Sequence, residues 1–373
     1  MRFPRTLRRV LLILALLLVV EYLVFPQIAG VRKSLSLLGS ANVLLIAAGI
    51  VLEGGAIAAY VQLTRSVVPR EPGLGFFTAL RIDLSTLAAS HIVPGGGAVG
   101  TGIGYRLLTA AGIAGTDAGF ALGTQGLGSA IVLNALFWVA LVVSIPLHGF
   151  NPLYGSAAIV GAVLIGGFGA LVLLLTRGEA RAARVLRGIA RRMPFLDEDR
   201  VHRLVHRLAA RLRAMVADRR LLVGAIAWAA ANWILDAASL WCFVAAFGYR
   251  HIGPDELLVS YGLANVLAAI PITPGGLGVV EAVLSSTLVG FGAPRGVAIL
   301  GVIGYRLVNF WLPIPVGGAA YLSLKAAPRT RRTEELRREA ERELQRQQTA
   351  REWAIEHGIQ VRSGKAAGAE SGD

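Results

Sequence analysis

The chain has 373 residues, of which 55% are hydrophobic and only 16% charged, with a formal net charge of +14. Its mean hydropathy is +0.61. That balance is too apolar for a soluble globular protein, and repeated apolar runs of about 20 residues are long enough to span a bilayer. The expected class is therefore an integral membrane protein. The positive charge is local: residues 1–9 carry Arg2, Arg5, Arg8 and Arg9 with no acid, and segment 177–220 carries 13 Arg against 5 acids. Such clusters mark cytoplasmic faces, so the basicity is read as topology, with no nucleic-acid partner implied. Cys242 is the only cysteine, which rules out an intrachain disulfide and a cysteine metal cluster.

In chain order, residues 10–25 form an apolar run behind the basic N-terminus. Glu21, Tyr22, Phe25 and Pro26 occupy the place of a cleavage site, so the run reads as an uncleaved first span. Residues 41–63 form the second, with Arg65 and Arg70 at its cytoplasmic end. Residues 74–112 hold two shorter apolar pieces around His91-Ile92-Val93-Pro94-Gly95-Gly96-Gly97. Spans follow at 118–146 and 154–175, then the basic segment, then a span at 221–247. Residues 257–292 repeat the first pattern around Ile272-Thr273-Pro274-Gly275-Gly276-Leu277-Gly278. A last span covers 297–323. The tail 326–373 is charged, with a helical stretch at 332–353 and a Gly-, Ala- and Ser-rich end expected to be disordered.

Proline lacks an N–H and glycine favours non-helical conformations, so each Pro-Gly segment should end one helix and start another. Placing Arg65, Arg70 and 177–220 on the same side requires 74–112 to enter and leave from the cytoplasm. The same count puts 248–256 outside and makes 257–292 enter from there. The expected fold is all-α: about six full spans plus two re-entrant, Pro-Gly-broken hairpins, arranged as an inverted repeat. Residues 1–325 are expected to form the membrane domain, with both termini cytoplasmic.

A helix beginning after such a break points unpaired N–H groups and its positive dipole end at the bilayer centre, a seat for phosphate or carboxylate. The competing reading is a glycine-dense contact between helices. The expected substrate-binding set is Pro94, Gly95, Gly96, Gly97, Arg106, Pro274, Gly275, Gly276, Gly278, Glu281 and Arg306. Glu281 and Arg306 are ionisable groups at membrane depth. They form either a structural pair or a grip on an anionic headgroup. Arg106 enters because Gly104-Tyr105-Arg106-Leu107 repeats the residues of Gly304-Tyr305-Arg306-Leu307. Glu53 and Asp236, each inside an apolar span, are either proton carriers or partners of an arginine. Arg81 is placed near the cytoplasmic surface, with Asp83 beside it. Gly95-Gly97-Gly100 fits a dinucleotide-binding spacing without the strand context it needs. His202 and His206 fit a metal-ligand spacing without a third ligand. No cofactor or metal is implied.

The run Thr273-Pro274-Gly275-Gly276-Leu277-Gly278-Val279-Val280-Glu281-Ala282, with Tyr305-Arg306-Leu307 and Trp311-Leu312-Pro313, resembles the lysylphosphatidylglycerol synthase transmembrane-region family. Pro94-Gly95-Gly96-Gly97 adds to the likeness, which covers roughly residues 10–325. The resemblance implies a flippase-like inner-membrane protein that handles phospholipid or a lipid-linked substrate. It also implies membrane lipids, with an anionic headgroup, as the partner. Only some 48 residues follow the last span, so the soluble aminoacyl-transfer domain of some members is not expected here. A membrane-embedded enzyme of envelope lipid or glycan synthesis, with Glu281 as general base, is the alternative, as is an accessory protein of that synthesis.

Overall fold

The computed structural model describes residues 39, 41–69, 73–93, 96–148, 162, 166, 217–268 and 273–326. Every element among them is helical. The predicted span 10–25, the span 154–175 apart from residues 162 and 166, the basic segment up to residue 216, and the tail from 327 lie outside the described residues.

Helix α1 (Val43–Val67) starts where the Asn42 side chain accepts the N–H groups of Leu44 and Leu45, at 3.0 and 3.2 Å. That cap satisfies two donors that a helix end leaves unpaired. Helices α2 (Phe76–Ile92) and α3 (Gly96–Ala110) flank the first Pro-Gly segment and pack on each other. Helix α4 (Gly115–Gly123), a π-helical turn (Thr124–Gly128) and α5 (Ser129–His148) then run as one long rod. Helix α6 (Arg219–Ala246) begins with the same kind of cap, from Asp218. Helix α7 (Pro254–Ala268), a 3-10 turn (Pro274–Gly276) and α8 (Val279–Gly290) form the second hairpin. A second long rod closes the described part: α9 (Arg295–Arg306), a π-helical turn (Leu307–Trp311) and α10 (Pro313–Ala326).

Four of these helices and rods are long and apolar enough to cross a membrane: Val43–Val67, Gly115–Leu147, Arg219–Ala246 and Arg295–Ala326. They fall where spans were expected at 41–63, 118–146, 221–247 and 297–323. Their outer faces carry exposed large apolar residues such as Val51, Val139 and Leu322, which in water would be an aggregation surface and in lipid is the natural exterior.

The two halves repeat each other at a separation of 180 residues. Gly112 and Gly292 both end a hairpin with φ near 92°. Ile113 N–H bonds the Leu108 carbonyl as Ala293 N–H bonds that of Leu288, at 3.1 and 3.0 Å. Cross-contacts repeat too: α2 packs on α10 of the other half, as α7 packs on α5. The corresponding first helices, α1 and α6, are in close contact and run antiparallel. Asn42 N–H meets the Ala246 carbonyl, Gly49 O accepts from Ser239 Oγ, and Ala56 O accepts from Asn232 Nδ2, at 2.9, 2.9 and 3.0 Å. Residue numbers rise along one helix as they fall along the other. The pseudo-two-fold axis is therefore perpendicular to these helices. For membrane-crossing helices this is the inverted-topology arrangement.

Candidate functional site

A cavity of about 340 Å³ lies where the two halves meet. Its wall takes residues from α1, α2, the first π turn and α5 of one half, and from α6 to α9 and the second π turn of the other. It is polar within an apolar bundle. Glu53, Asp83, His91, Gln125, Asp236, Arg306 and Asn309 all line it.

Three hydrogen-bonded groups make up that polarity. In the first, Arg306 Nε donates to Glu281 Oε1 at 2.6 Å, with both side chains buried. The rest of the guanidinium reaches toward the Gly275 carbonyl, at 3.4 Å from Nη2, and lies 4.4 Å from the Phe310 ring centroid. His91 stacks on that same ring at 4.3 Å and bonds the Phe310 carbonyl at 3.0 Å. Glu281 has a second task, accepting the Gly278 N–H at 2.6 Å through Oε2. Its carboxylate thus caps α8, so the anion seat expected at this helix start is filled by the chain's own acid.

In the second group, Asp83 accepts from Thr64 Oγ1 at 2.8 Å and from Gln125 Nε2 at 3.1 Å, and Gln125 also bonds Thr64. Asp83 is buried. Arg81 donates to the Phe77 carbonyl of its own helix. The third group surrounds Asp236. Tyr261 Oη donates to Oδ2 at 2.5 Å, while Tyr305 Oη and Asn309 Nδ2 donate to Oδ1 at 2.7 and 3.1 Å. Asn309 also donates to Glu53 Oε1 at 3.1 Å.

Of the sequence-predicted residues, Gly275 and Arg306 line the cavity and Glu281 holds Arg306. Gly275, Gly276 and Gly278 have φ of 55°, 70° and 82°, a left-handed backbone that a side chain resists. A Cβ on Gly275 would sit 2.3 Å from the Phe310 ring. Pro274 opens the 3-10 turn. Gly96 is buried against α2, where a Cβ would stand 2.0 Å from the Ser90 carbonyl. It is a packing contact. Gly97 and Arg106 are exposed and do not line the cavity. Pro94 and Gly95 lie outside the described residues. The shared Gly-Tyr-Arg-Leu run marks no equivalent place: Tyr105 and Arg106 sit in α3, whereas Tyr305 and Arg306 end α9. At the 180-residue separation Tyr305 corresponds to Gln125, and both residues hold a buried aspartate.

Sequence reasoning missed Gln125, Tyr261, Tyr305 and Asn309. Their signal was polarity inside an apolar run. Gln125 and Asn309 each sit in a π turn, a local widening found at functional sites. Among the described residues no group of three or more His, Cys, Asp or Glu is arranged to hold a metal ion.

An inverted helical repeat with several apolar membrane-length helices and a charged cavity between its halves defines a multi-pass membrane protein. The chain belongs to the lysylphosphatidylglycerol synthase TM region family, which it matches over residues 9–317. It is similar to UPF0104 membrane proteins of Methanothermobacter thermautotrophicus. One match is 28% identical over 123 residues, covering 33% of this chain and 36% of the relative. Another is 24% identical over 175 residues, covering 44% and 52%. An uncharacterized protein of Synechocystis is 36% identical over 100 residues, covering 26% of this chain and 28% of that one. The matched stretches thus span between about a quarter and a half of the relatives' lengths.

Proposed function

We propose that the protein binds the polar headgroup of a phospholipid or lipid-linked substrate in this cavity and carries it between leaflets, leaving the acyl chains in the bilayer. The observation that carries the reading is the cavity itself: headgroup-sized, charged, and walled by both halves of an inverted repeat. Small-ligand pockets begin at about 300 Å³, so the volume suits a headgroup rather than a whole lipid. The face of Arg306 not held by Glu281 meets the anionic phosphate, and the hairpins enter from opposite faces of the cell membrane with the termini cytoplasmic. The family's description names a lipid synthase, and from it we carry over the substrate class alone. The enzymatic alternative needs Glu281 as a free base. With Oε1 on Arg306 and Oε2 on the Gly278 N–H, that carboxylate is committed to structure.

Purified protein in vesicles containing headgroup-labelled anionic phospholipid tests the proposal. Wild type should expose inner-leaflet label to an external quencher faster than protein-free vesicles do. Leu87→Trp, which fills the cavity, should slow this without loss of monodispersity. Equal rates for wild type and empty vesicles, or for wild type and Leu87→Trp, sink the reading.

A further inference from the structure

Glu53 and Asp236 face each other across the antiparallel pair α1 and α6, one from each half of the repeat. As buried acids they need a partner, and an arginine was one option. Among the described residues the structure gives them none: Arg306, the arginine lining the cavity, is bonded to Glu281. Their partners are polar donors, one of them shared. Asp236 accepts three donors, Tyr261 on Oδ2 and both Tyr305 and Asn309 on Oδ1, which leaves one lone pair of Oδ2 open. Asn309 bridges on to Glu53 Oε1. Glu53 Oε2 is buried with no hydrogen-bond partner among the described residues, and Asn309 Nδ2, 3.1 Å from both Glu53 Oε1 and Asp236 Oδ1, holds the two carboxyl groups side by side. Two buried carboxylates held so close repel each other, so the pair is a natural holder of one proton.

We propose that Glu53 and Asp236 form a one-proton binding site whose loading is linked to the packing of the two repeats. The proton sits on Glu53 Oε2 and is donated to the Asp236 carboxylate. On release it passes to a cavity water, giving a hydronium ion and two carboxylates; no other bond changes. Those carboxylates repel each other in a low-dielectric interior, so the contact between α1 and α6 opens. Reloading closes it. Since α1 and α6 are the first helices of opposite repeats, the proton is a bond across the surface on which one repeat would rock against the other. A metal cation fits less well. All but one of the lone pairs of Asp236 already accept O–H and N–H donors, and Asn309 presents its NH₂ group to both acids rather than its carbonyl. The other titratable or charged groups lining the cavity are Tyr60, Asp83, His91 and Arg306, with Glu281 behind Arg306. None of these bridges the two acids.

The proton site stands independently of lipid movement, whereas its coupling to transport rests on the function proposed above. Two measurements keep the failures apart. Infrared difference spectra of full-length protein in nanodiscs should show a protonated-carboxyl stretch that disappears on alkaline titration. Glu53→Gln should abolish it, and Asp236→Asn should shift both its frequency and its titration; both changes are isosteric, and elution as a single peak checks the fold. No such band in wild type, a band unchanged in both variants, or a band removed by Na⁺ at constant pH overturns the site. In vesicles, a gradient of about two pH units is worth up to about a hundredfold in distribution for one coupled proton. Labelled anionic phospholipid should redistribute accordingly with wild type and ignore the gradient with Glu53→Gln. Redistribution by wild type that ignores the gradient overturns the coupling. If wild type moves no lipid at all, the translocation reading and its coupling fall, and the infrared result alone decides the proton site.

Discussion

At the scale of single residues, the Arg306–Glu281 pair is a buried ion pair with a second duty. Burying two charges costs several kcal/mol of hydration each, so a good pair roughly breaks even, but removing one partner strands the other. Arg306→Ala should therefore lower stability by about 3–5 kcal/mol. The double change to Arg306→Ala with Glu281→Ala should recover part of that, less the roughly 1 kcal/mol lost with the helix cap. Thermal melts in detergent across the double-mutant cycle measure this. Full additivity would mean the two side chains are not coupled. Arg306→Lys should hold the fold yet bind anionic lipid more weakly, because a point charge replaces a planar fork.

The acids themselves were legible in the sequence, because a carboxylate inside an apolar run is conspicuous. Their partners were not. Tyr261, Tyr305 and Asn309 lie 25, 69 and 73 residues from Asp236, and their polarity inside an apolar run is a weak signal that names no partner. The choice between proton carrier and arginine partner for Glu53 and Asp236 turned on where Arg306 points, which only the folded chain decides. Spacing misled in one instance: Tyr105-Arg106 copies Tyr305-Arg306 in letters but faces outward, because the repeat aligns α3 with α8 rather than with α9.

At the scale of elements, the two Pro-Gly segments share a role in breaking helices but not in what their glycines touch. Gly96, Gly100 and Gly104 form a stripe at helical spacing on α3 that lies against Ser90 and Thr86 of α2. Gly97 beside them faces open space. Gly100→Ala would set a methyl 2.7 Å from the Thr86 carbonyl and against the Ser90 hydroxyl, so the hairpin must part. A loss of about 1–3 kcal/mol is expected, as for other overpacked contacts. Gly97→Ala should be neutral or slightly stabilising, since alanine is the better helix former by about 1 kcal/mol. Melting temperatures of the two variants check this, and equal losses would show that the break tolerates no side chain anywhere. The helix breaks and the four described spans were readable from proline, glycine and apolar length. The π turns were not, because nothing in Thr124–Gly128 or Leu307–Trp311 distinguishes them from continuous helix until tertiary contacts widen a turn.

For the whole molecule, the antiparallel contact of α1 and α6 and the exchange of hairpins between halves make a definite demand on topology. If the axis relating the halves lies in the membrane plane, corresponding loops must face opposite sides. The loop after α1, near Pro69, and the loop after α6, near Tyr249, are such a pair. Arginine placement predicts a cytoplasmic position for the first, and hence an outside position for the second. Single cysteines introduced at Pro69 and at Arg250 into a Cys242→Ala background should thus label from opposite sides of sealed cells with an impermeant maleimide. Arg250→Cys should react in intact cells, and Pro69→Cys only after permeabilisation. Labelling of both from one side would mean that the antiparallel α1 and α6 do not both cross the membrane. The inverted arrangement would then fail, and with it the alternating geometry that the proposed translocation and proton coupling both require.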